Sequence, residues 1–156
     1  MTGTPTSPSD DPPHKGPVHH PVGGALPVPR AIMAHMRARI DPVRGRAALA
    51  AALGADPARQ DQLTAVRWTL GVLAEDHPGR SVEVRVPPAG AVQAIAGGPT
   101  HRRGTPPNVV EMAPEVWLQL AAGRLDWPEA VARGLVSASG TRADLTDCLP
   151  LRIEDE

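Results

Sequence analysis

From Ile40 onward the apolar and polar positions fall into periods that define elements. Asp41 stands as a cap ahead of Pro42, and Ala47 to Leu53 are helix formers running up to Gly54, so a first helix is predicted there. Asp56-Pro57 repeats the start signal and opens a longer helix to about Asp76. Its apolar residues Leu63, Val66, Leu70 and Leu73 follow the three-or-four spacing of a stripe that packs on a core, and Pro78-Gly79 ends it. Ser81 to Val86 then alternates strictly, which turns Val82, Val84 and Val86 to one face of a strand. Pro87-Pro88-Ala89-Gly90 breaks the strand, and Ala91 to Ala96 reads as its hairpin partner. A polar loop, His101 to Pro107, leads to a short strand from Asn108 to Met112. Pro114 to Ala122 reads as a helix closed by Gly123, and Asp126 caps a second that ends at Gly134. A strand from Leu135 to Ser139, a last helical turn and Leu149-Pro150-Leu151 complete the pattern.

Helices before and between strands, without regular βα alternation, predict an α+β fold: a single sheet of about four to five strands covered by helices on one face. Four segments are expected. Residues 1–29 form a Pro-rich tail, disordered because its prolines exclude a long helix and almost no large apolar residue occurs. Residues 30–78 carry N-terminal helices packing on the core, 79–151 the core itself, and 152–156 an acidic, solvated end. The change of composition near residue 30 also suggests a natural start at Met33 or Met36.

Composition changes this picture in one respect: the chain of 156 residues has no Phe, no Tyr and three Trp, so small aliphatic side chains must fill the core. A formal charge of −1 lacks the basic excess that a nucleic-acid partner requires, and none is expected. Cys148 has no second cysteine to pair with, and its leucine neighbours mark it as a small buried hydrophobe. No apolar run reaches the ~20 residues of a membrane span and no leader pattern opens the chain, so a cytoplasmic location is expected. His14, His19 and His20 lie in the tail without fixed geometry, no other spacing suits a metal, and neither a metal nor a cofactor is expected.

The stretch Ala122-Gly123-Arg124-Leu125-Asp126, followed by Ala130 and by Gly134 to Gly140, resembles the signature of the sterol carrier protein family. A helix ends in Gly-basic-Leu, a short helix follows, and a glycine precedes an alternating strand ending in Ser-Gly. Asn108 to Met112 is similar to the family's preceding strand and Pro114 to Leu118 to its helix start. Arg103 to Asn108, Gly140 to Leu145, Leu149 to Leu151 and, upstream, Gly79 to Pro88 more narrowly resemble a bacterial branch found in high-GC genomes. The resemblance covers residues 40–151. It implies a sheet and helices enclosing an apolar tunnel for acyl chains or sterols, in a carrier that is not an enzyme.

No nucleophile–base pair assembles from the residues, since Ser137 and Ser139 lack a nucleophile elbow and His77 and His101 sit in turns. A lipid-binding pocket would be lined by Val84, Val86, Val92, Val110, Met112, Trp117, Leu118, Leu125, Trp127 and Val136, which are equally what an ordinary core contains. For Trp117 and Trp127 the alternatives are core packing with a satisfied indole N–H or a place at the pocket mouth. Arg103, Asn108 and Arg142 form a candidate head-group or anion site; alternatively Arg103 pairs with Glu111 and Asn108 orders the Pro-Pro turn. The basic stretch from Arg30 to Arg46 is a candidate for weak contact with anionic membrane or a plain solvated face. Two functions stay open: a soluble lipid- or acyl-binding module, or a protein-interaction domain with a filled core.

Overall fold

A computed structural model describes residues 39–98 and 106–153, together with Gly3. The expected tail of residues 1–29, its histidines, Met33, Met36, Arg30, Arg37, Arg103 and the acidic end 154–156 lie outside the described residues.

Helix α1 runs Pro42–Ala52, and the Asp41 carboxylate accepts from the amides of Val43 at 2.9 Å and Arg44 at 3.2 Å. Two of the helix's orphan amide donors are thus satisfied by its cap. Helix α2 spans Arg59–Asp76 behind an extended Ala58, with Asp61 in its first turn complementing the dipole. The Asp56-Pro57 signal therefore belongs to the connection, two residues short of the helix.

Gly45 is where α1 meets α2. It is buried, and a Cβ placed on it would overlap the indole ring of Trp68. Gly45→Ala would gain about 1 kcal/mol of helix propensity, but overpacking costs about 1–3 kcal/mol and wins because an indole ring is rigid. Thermal unfolding is expected at a lower midpoint, with altered Trp68 emission; a raised midpoint contradicts this close approach.

Strand β1 is Val82–Val86 and β2 is Gly90–Ala94, paired antiparallel with Val82 opposite Ala94 and Val86 opposite Gly90. The strand stops short of Ala96 because Ile95 adopts a left-handed φ of 66°. Its amide turns to the His77 carbonyl while its carbonyl accepts from Ser81. Strand β3, Val109–Met112, lies parallel to β1, and β4, Val136–Ser139, runs antiparallel to β3. The order β2-β1-β3-β4 makes one mixed four-stranded sheet, and the fold is α+β.

Helices α3, Pro114–Ala121, and α4, Trp127–Ala132, precede β4, and left-handed Gly123 and Gly134 follow them as expected. Asp126 takes the N-cap position of α4, although its side chain makes no capping bond. Thr146–Cys148 forms a 3-10 turn, steadied by the Asp144 carboxylate. The Thr146 hydroxyl and amide bonded to it hold the Asp144 carboxyl below its usual range.

Val82, Val84, Val86, Val110 and Met112 enter the core together with Trp117, Leu118, Leu120, Leu70 and Leu73. Glu83, Arg85, Glu111 and Ser137 remain at least partly exposed on the other positions of their strands, and Glu83 pairs with Arg85. Trp117, fully buried, supplies the volume that Phe and Tyr usually provide. Its indole N–H donates to the Thr69 hydroxyl at 2.8 Å, which donates in turn to the Ala65 carbonyl at 2.8 Å.

Candidate functional site

Beside this packed interior, a cavity of about 1030 Å³ opens between the start of α1, one side of α2, the start of β2 and the segment after the 3-10 turn. This is ample for a small-molecule ligand. Ile40, Trp68, Leu70, Val72, Val92 and Ile153 give it an apolar lining, and Arg39, Arg44, Arg46, Arg67 and Arg152 surround that lining.

The groove follows from the spacing on α2. Leu63, Val66, Leu70 and Leu73 follow the core stripe, whereas Gln60, Thr64, Arg67, Gly71 and Glu75 recur every three or four residues along the groove side. Gly71 keeps this wall concave, since a Cβ built there meets nothing within 4 Å. Gly90 across the groove is likewise open.

Charge is distributed unevenly around the cavity. Arg39 pairs with Glu75 at 3.3 Å, the Asp41 carboxylate is committed to capping α1, and Arg67 donates from Nε to the Ala89 carbonyl at 3.0 Å. Among the described residues neither Arg44 nor Arg152 has a carboxylate partner. Arg44 and Arg152, without a carboxylate among the described residues, put positive charge on the rim of a chain whose net charge is −1. An apolar bed beside unmatched guanidinium groups suits an amphiphile with an anionic head.

Of the apolar residues singled out in the sequence, Val92 lines this groove. Val84, Val86, Val110, Met112, Trp117, Leu118 and Trp127 are buried in the core, and Leu125 and Val136 are half-buried against it. Asn108 is 4% exposed, with both ends of its amide in use. Its Nδ2 donates to the Ser81 carbonyl at 2.8 Å, and its Oδ1 accepts the Arg142 amide at 2.9 Å. The Arg142 side chain lies against Gly97 and Gly98, beyond the Ala94 end of the hairpin, whereas the groove borders the Gly90 end. Arg39, Arg44 and Arg46, from the basic stretch, do reach the groove.

Arg67, Trp68, Gly71, Arg152 and Ile153 were not signalled as site residues by the sequence. The available clue was Gly71, a helix-interior glycine within an otherwise polar stripe. Cys148 is buried, and burial, with Asp147 and Asp144 nearby, pushes its thiol above the usual range, away from nucleophilic use. Among the described residues no group of three or more His, Cys, Asp or Glu is placed to hold a metal ion, and no helix is long and apolar enough to cross a membrane.

Comparison with known proteins adds one match. The family model described as bacterial SCP ortholog matches residues 58–151, from the residue before α2 to Leu151, past the 3-10 turn. No curated protein matches the chain.

Proposed function

This chain belongs to the bacterial SCP ortholog family, a sterol carrier protein-like group, and from that premise we propose that it is a non-catalytic carrier of amphiphilic anions. The fatty-acyl chain lies on the apolar lining of the groove and the head group meets the arginine rim. The observation that carries this reading is the juxtaposition of Ile40, Trp68, Val72 and Val92 with the unmatched guanidinium groups of Arg44 and Arg152.

Magnitudes divide the work between the two parts. Each methylene removed from water contributes about 0.8 kcal/mol, so eight of them supply roughly 6 kcal/mol. An ion pair at an exposed rim adds only about 0.2–1 kcal/mol. Chain burial therefore sets affinity, and the arginines set orientation and preference for an anion.

Gly71→Leu tests the reading, because a Cβ at this position meets nothing within 4 Å and the larger side chain starts from the groove wall. Laurate titrated against intrinsic tryptophan emission is expected to bind at least about tenfold more weakly to this variant, a loss of about 1.4 kcal/mol or more. Its unfolding midpoint should stay near that of the parent. Unchanged laurate affinity in Gly71→Leu would falsify the groove as the binding site. Native mass spectrometry before and after delipidation addresses the rival filled-core interaction domain, which yields only the apo mass.

A further inference from the structure

At the end of the sheet where β1 and β3 begin and β2 and β4 finish, one buried polar group has no partner. Ser81 is 3% exposed, and its hydroxyl is closed off from water without a hydrogen bond. Its main chain, by contrast, is fully engaged. The amide donates to the Ile95 carbonyl at 3.0 Å, and the carbonyl accepts from Asn108 at 2.8 Å. Buried hydroxyls are nearly always bonded, so an orphan held this firmly points to a partner from outside the chain. We propose that Ser81, Arg142 and the turn at Gly97-Gly98 form a site for a tetrahedral oxyanion of the phosphate class, either inorganic phosphate or a phosphate monoester.

The hydroxyl and a guanidinium meet at one place. A Cβ built on Gly98 would stand 3.2 Å from the Ser81 hydroxyl and 3.5 Å from Nη1 of Arg142, and one built on Gly97 would stand 2.6 Å from that same Nη1. Both glycines are left-handed, with φ of 95° and 78°, and the absence of side chains lets the guanidinium lie against the turn. Their amides make no backbone hydrogen bond among the described residues. Arg142 is anchored through its own amide, which donates to Oδ1 of Asn108 at 2.9 Å. Its exposed side chain makes no hydrogen bond or ion pair among the described residues. The set is therefore made of donors: a guanidinium, a hydroxyl and two amides. Donors arriving from β1, from the turn after β2 and from the segment after β4 suit the several oxygens of a phosphate better than the two of a planar carboxylate. The anion takes the place where Arg142 now rests on the glycines, with the Ser81 hydroxyl beneath and the guanidinium folded over it. This site lies at the opposite end of the hairpin from the groove, and it does not rest on the carrier reading.

The test uses the full chain and its Ser81→Ala and Arg142→Gln variants, both of which keep every main-chain bond of the joint. Inorganic phosphate, glycerol 3-phosphate and acetate are titrated separately at a constant ionic strength of about 0.15 M, so that screening stays fixed. Binding is followed by NMR at the Gly97 and Gly98 amides and the Arg142 Nε–H. Saturable shifts of all three signals are expected with at least one of the two phosphate ligands, and weaker ones with acetate. Response to inorganic phosphate alone identifies the free ion as the ligand, and an equal or stronger response to glycerol 3-phosphate identifies a monoester. Each variant is expected to bind the responding ligand roughly tenfold more weakly. Without ligand, Ser81→Ala should unfold no earlier than the parent, since it removes only an unbonded hydroxyl. The absence of saturable shifts with either phosphate ligand overturns the proposal. Parent-like affinity in both variants, or tighter binding of acetate than of phosphate, overturns it as well.

Discussion

Trp117→Ala is expected to lower the free energy of unfolding by about 3–5 kcal/mol, the usual cost of truncating a fully buried indole. Trp117 is the largest completely buried side chain, in a chain with no Phe or Tyr. Its neighbours in the core are leucines, valines and alanines, which shift little to refill so large a space. Domains of this size are stable by about 5–15 kcal/mol, so the loss takes a large share of the total. Trp117→Phe separates volume from polarity. It keeps most of the apolar area but removes the donor to Thr69, whose hydroxyl still has the Ala65 carbonyl as acceptor. A smaller cost of about 1–2 kcal/mol is expected for it. Chemical denaturation of the three proteins measures both values, and an alanine variant within about 1 kcal/mol of the parent would show that the core collapses around the site.

Asn108→Ala should be nearly as damaging, at about 2–4 kcal/mol, for a different reason. The amide ties three segments: the Ser81 carbonyl ahead of β1, its own position at the start of β3, and the Arg142 amide after β4. Alanine leaves that carbonyl and that amide without their partner in a site almost closed to water, and each unmatched buried group costs about 1–3 kcal/mol. Gly140 belongs to the same joint. It holds a φ of 105°, and a Cβ there would collide with Oδ1 of Asn108 and the Pro107 carbonyl. Laurate affinity of Asn108→Ala, measured where the variant is folded, is expected to stay within about twofold of the parent because the groove lies at the other end of the hairpin. A large loss of affinity with unchanged stability would return Asn108 to the role of head-group ligand.

Most elements were legible because each rests on a local rule. Asp41-Pro42 fixes the start of α1, the valine alternation fixes β1, and the glycines after α3 and α4 mark their ends. Alternation also identified which valines face inward, but not whether the space between them is filled. That depends on how Trp117 packs against leucines distant in sequence. The groove was less legible because its walls use the polar side of α2, which periodicity alone assigns to water. Arg67 and Gly71 acquire a role only when Ala89 to Val92 and Arg152-Ile153 arrive opposite them. Asn108 shows the same limit, since a buried amide satisfied at both ends looks in sequence like any polar residue beside an arginine-containing loop.

Helix α1 lies ahead of the stretch that matches the family model, yet Arg44 and Arg46 of the rim belong to it. Two proteins alike from residue 58 to 151 can therefore differ in the head groups they favour. Under the proposed carrier role, substitutions confined to α1 would change the rim while leaving the matched scaffold, Arg67 included, as it is.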